Sequence, residues 1–62
     1  MTAHELRTQL LETKHRFGRG EATIDDLYAA ADAYIEAMKE YKRRTGDRNL
    51  RIPARGYLIR AL

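Results

Sequence analysis

The sequence predicts an all-α fold, an antiparallel two-helix hairpin followed by a short third helix. Three observations carry this. The chain has no Val, Ser, Cys or Trp and is rich in Ala, Leu, Glu, Lys and Arg, a composition that favours helix over sheet. Two stretches place their apolar residues at alternating spacings of 3 and 4. Each stretch also opens on a threonine of the type that caps a helix and closes near a glycine.

The first helix is expected over about residues 3–17. Thr2 with Glu5 three positions on fits a capping box, and Ala3, Leu6, Leu10, Thr13 and Phe17 form one stripe. Gly18 is the expected left-handed residue that ends it. Residues 18–22 are then a short connection, which makes the flanking helices antiparallel neighbours.

The second helix, about 24–45, is the longest element. Thr23 and Asp26 repeat the cap pattern, and Ile24, Leu27, Ala31, Tyr34, Met38, Tyr41 and Thr45 keep the 3, 4 spacing throughout. Asp25 and Asp26 in the first turn and Lys42, Arg43 and Arg44 in the last complement the helix dipole, and Gly46 supplies the stop. At 1.5 Å per residue this helix is about 33 Å long and outruns the first by about two turns.

Residues 47–52 read as an extended linker, because Ile52 precedes Pro53 and is biased away from helix. Pro53 suits the first turn of a third helix, about 53–62, in which Tyr57, Leu58, Ile59 and Leu62 are apolar and Gly56 is a weak point. A helix this short is marginal alone and must dock to persist. The whole chain, 1–62, is one domain with a basic C-terminal tail over 47–62.

Size makes stability the first physical problem. A chain of 62 residues buries only about 60% of the surface that its unfolded form exposes. Without cysteine it has neither disulfides nor thiolate zinc sites, which leaves oligomerisation as the remedy and is compatible with a reducing cytoplasm. Beside the main seam of the second helix lie Tyr28 and Ile35, giving a face wider than a two-stranded coiled coil uses. The expectation is a homodimer closing into a four-helix bundle, with Leu6, Leu10, Phe17, Leu27, Tyr28, Tyr34, Ile35 and Met38 as the self-association residues.

Charge is segregated along the chain. Residues 1–20 carry four cations against two acids, residues 21–38 five acids and no cation, and residues 39–62 eight cations against two acids. The basic third, with Arg43, Arg44, Arg48, Arg51, Arg55 and Arg60, is the one region with a functional sign, since arginine pairs with acidic protein surfaces or with phosphates. Its bland counterpart is equally concrete: Lys42 to Arg44 complement a helix end, and the remaining arginines keep an apolar tail solvated.

Spacing and context argue against several chemistries. His4 and His15 are eleven residues apart, about 16 Å along a helix, where a shared metal needs them about four apart. Asp25, Asp26, Asp32 and Glu36 are accounted for by capping and a solvated face, and Gly18-Arg19-Gly20 lacks the strand and the lysine of a phosphate loop. With no Ser or Cys, the common nucleophiles are missing. No catalytic, cofactor or metal site is expected, and no segment approaches the roughly 20 apolar residues of a membrane span. The expected function is a non-enzymatic helical interaction protein, a self-associating adaptor or regulatory subunit with a basic docking segment for an acidic partner. The alternative is a nucleic-acid-binding accessory protein that contacts phosphates through the same arginines. A helix-turn-helix is disfavoured because the third helix offers no Asn, Gln or Ser for base edges.

Overall fold

A computed structural model gives the fold and describes residues 2–62. Its elements are α1 (Ala3–Gly18), α2 (Ile24–Thr45) and α3 (Arg55–Ala61), with no strand among the described residues. The hairpin and the third helix stand where composition and spacing put them. α1 runs one residue further than expected, and α3 is shorter than 53–62 at both ends.

Caps fix the ends of the hairpin. Thr2 Oγ1 accepts from the Glu5 amide at 3.2 Å, and Thr23 closes a reciprocal box, accepting from the Asp26 amide at 3.1 Å while its own amide donates to Asp26 Oδ2 at 2.9 Å. The stop of α1 differs from expectation. Gly18 is helical, and the left-handed residue is Gly20, with φ at +76°. The reason is a pair of reversed hydrogen bonds: the Glu21 amide donates to the Arg16 carbonyl at 2.8 Å and the Gly20 amide to the Phe17 carbonyl at 3.1 Å. That pairing requires the left-handed residue to stand two places beyond Gly18. At the far end, Gly46 has φ at +67° and its amide donates to the Lys42 carbonyl at 2.9 Å, the simpler left-handed stop.

The core is small. Leu10 of α1, Leu27 and Ala31 of α2 and Leu58 of α3 are buried, with Ala30, Tyr34, Ile35, Ile59 and Leu62 packed partly against them. Burial of each leucine contributes about 2 kcal/mol. The third helix is therefore part of the same core as the hairpin, and Ile35 is one of the side chains packed against that core.

Two polar attachments hold α3. Lys14 Nζ, on α1, donates to the Ile59 carbonyl at 2.9 Å and also to the Leu62 backbone oxygen. A lysine at the last carbonyls of a helix satisfies acceptors that the helix leaves open and complements its dipole. At the other end Arg55 donates to Asp32 Oδ2 at 3.3 Å and lies over the Tyr28 ring, 4.4 Å from its centroid. Tyr28 and Asp32 are four apart on α2 and so share a face.

Between α2 and α3 the chain is irregular. The Asn49 amide donates to Asp47 Oδ1 at 2.9 Å, a local turn, and Leu50, Ile52 and Pro53 are half-buried. The molecule is a slab with extents of 39 × 22 × 15 Å. None of the helices is long and apolar enough to cross a membrane among the described residues.

Candidate interaction surface

The expected self-association residues fall into two groups. Leu10 and Leu27 are 0% and 1% exposed, spent on the core of one chain, so a second copy would touch neither. Leu6, Tyr34, Ile35 and Met38 are half-buried, while Phe17 and Tyr28 are exposed, Tyr28 in part beneath Arg55. Ile24, Tyr41 and Tyr57 add further exposed apolar side chains. These residues come from all three helices.

The basic residues divide as well. Arg55 is taken by Tyr28 and Asp32. Arg43 donates to Glu40 at 2.7 Å across one turn, and this guanidinium holds the Glu40 carboxyl below its ordinary value while the pairing raises Arg43. Lys39 pairs with Glu36 at 3.5 Å. Arg44, Arg48, Arg51 and Arg60 form no ion pair among the described residues, although Arg44 contributes weakly to lowering the Glu40 carboxyl, and all four are exposed. Arg44 stands in the last turn of α2, and Arg48 follows two residues after the Gly46 stop.

A groove of about 470 Å³ lies where the start of α1 meets the later turns of α2. It is lined by Thr2, Ala3, Ala37, Glu40, Tyr41 and Arg44, with Tyr41 half exposed. Its local origin is plain in the chain: α2 continues past the first turn of α1, and small residues at 3 and 37 leave the junction open. Sequence reasoning did not single the groove out, although the two unmatched turns of α2 and those two alanines were the available signal.

A second, smaller depression is lined by Glu12, His15, Arg16 and Arg19. No group of three or more His, Cys, Asp or Glu side chains with the geometry to hold a metal occurs among the described residues. No protein-family model matches the chain, and neither a curated protein nor a solved structure matches it.

Proposed function

We propose that this protein is a non-enzymatic helical interaction module that self-associates and presents a basic end to a partner. The carrying observation is its exposed surface. An accessible surface of 4687 Å² exceeds the roughly 4,100 Å² of a compact monomer of this mass, so the single chain leaves more surface in water than its size requires. A second copy laid against the hairpin would complete a four-helix bundle and shield exposed Phe17 and half-buried Leu6 and Met38.

The test is light-scattering mass across a dilution series reaching about 100 μM, since assembly follows mass action. A mass of twice 7.2 kDa that falls on dilution is the expected result. Phe17→Glu should lower that mass while leaving helix content unchanged, because Phe17 is exposed in the single chain. A constant monomer mass overturns the self-association reading.

A second reading is nucleic-acid binding, favoured by the unpaired state of Arg44, Arg48 and Arg51. It predicts affinity for duplex or single-stranded nucleic acid that falls steeply with salt, and similar losses for all sequences when these arginines become Ala.

A further inference from the structure

The groove between α1 and the end of α2 combines two features that a bare charge cluster lacks. Ala3, Ala37 and Tyr41 give it apolar surface, and Arg44, one turn from Tyr41, gives it a cation that forms no ion pair among the described residues, while Glu40 is paired with Arg43 and feels Arg44 more weakly. Arg48, two residues past the Gly46 stop and outside the lining itself, is the next exposed cation along the chain. We infer that this groove docks an acidic amphipathic segment of a partner protein, a deepening that rests on the interaction-module reading above. One apolar side chain of the segment would lie against Ala3, Ala37 and Tyr41, and carboxylates flanking it would meet Arg44 and Arg48. Helical segments commonly bind grooves in this way, with anchors on one face and charges setting the register.

Glu40 decides between occupants. It lines the groove, and Arg43 at 2.7 Å keeps it ionised. A nucleic-acid backbone carries a phosphate at every step and would set one beside that carboxylate, a contact that the Arg43 pairing only partly offsets. A peptide can place its acids at Arg44 and Arg48 and leave a neutral residue opposite Glu40. Moreover, only Tyr41 among the lining residues is aromatic, so successive bases would find no series of stacking platforms.

The experiment is fluorescence anisotropy with a labelled synthetic helix that carries leucines on one face flanked by glutamates, at physiological salt. Controls are the same helix with the leucines replaced by alanine, and labelled oligothymidylate. Light-scattering mass is recorded on the same protein sample. Binding of the leucine probe should weaken about ten-fold in Tyr41→Ala and in Arg44→Glu, and remain unchanged in Arg60→Glu, whose cation lies on α3. Arg44→Gln provides a milder version, and circular dichroism establishes that each variant is folded.

Binding that ignores the leucines and Tyr41→Ala, or that oligothymidylate equals, overturns the proposal in favour of undirected charge attraction. Absence of binding overturns it too. In that case a persistent dimer mass leaves the self-association reading standing, whereas a monomer mass removes both.

Discussion

The guanidinium of Arg55 lies 4.4 Å from the centre of the Tyr28 ring, and the same side chain reaches Asp32 at 3.3 Å. One residue at the start of α3 thus meets two residues one turn apart on α2. Both members of the ion pair are about half exposed, so the pair itself contributes only a few tenths of a kcal/mol and the ring contact about 0.5–1 kcal/mol. Arg55→Ala should lower stability by about 1 kcal/mol, and Asp32→Asn by less. Urea denaturation midpoints of the two variants check the order. Arg55→Ala should leave a salt-dependent ligand interaction at the Arg44 end unaffected, because Arg55 is committed to the fold.

Leu58 closes the core from α3, opposite Leu10, Leu27 and Ala31. Leu58→Ala should cost about 2 kcal/mol and release α3, and Leu10→Ala or Leu27→Ala about 3 kcal/mol each, enough to unfold so small a domain. Amide hydrogen exchange separates the cases: loss of protection confined to 55–61 for Leu58→Ala, and throughout the chain for the other two.

The glycines at the end of α1 make opposite demands. Gly20 has φ at +76°, where a Cβ is strained, while Gly18 is helical and open space surrounds the position of a Cβ. Gly20→Ala should destabilise by about 1 kcal/mol, and Gly18→Ala should stabilise by about 0.5 kcal/mol. Thermal midpoints that moved in the same direction would contradict the placement of the left-handed residue.

The Thr23 box makes stability depend on pH. The Thr23 amide first, and its hydroxyl second, hydrogen bond with Asp26 and depress the carboxyl below its ordinary value of 3.8. Above that value both folded and unfolded chains carry the charge and the contribution is complete. As pH falls through 3.8 and then through the depressed value, the unfolded chain takes up the proton first and the contribution is lost. Glu40, depressed by Arg43, acts in the same sense from its ordinary value of 4.5. Asp26→Asn should therefore flatten the acid limb of a stability profile, and Thr23→Ala should cost about 1 kcal/mol at neutral pH.

The hairpin was legible because its signals are local. The spacing of Leu27, Ala31, Tyr34 and Met38, the threonines at 2 and 23 and the glycine at 46 each act within a turn or two of themselves. What the chain does with residues 47–62 was not, since the role of that segment depends on Lys14, Tyr28, Asp32 and Leu10, which lie far away in sequence. Treated as a tail, it leaves Tyr28 and Ile35 wet. Folded back, it adds Leu58 to the core against which Ile35 packs, lays Arg55 over Tyr28 and removes that arginine from the free cations. Likewise, two glycines stood two positions apart at the end of α1, and only the bond from Glu21 to Arg16 distinguishes them. The groove escaped notice because a junction between helices is a property of their relative lengths, not of any motif.

The lysine bridge from α1 to the last turn of α3 has a kinetic consequence. Its two hydrogen bonds join residues 45 and 48 positions apart, whereas the hairpin turn closes over a handful. Contacts of short span form first, because a longer loop must surrender more chain entropy before it gains anything. In refolding of the full chain, the hairpin contacts are therefore expected before those that Leu58 makes from α3. During that interval Lys14 faces water and the flank of Leu27 lies open, a transient state that resembles the hairpin alone. The order of assembly thus makes α3 the last unit to arrive and, under stress, the first to leave.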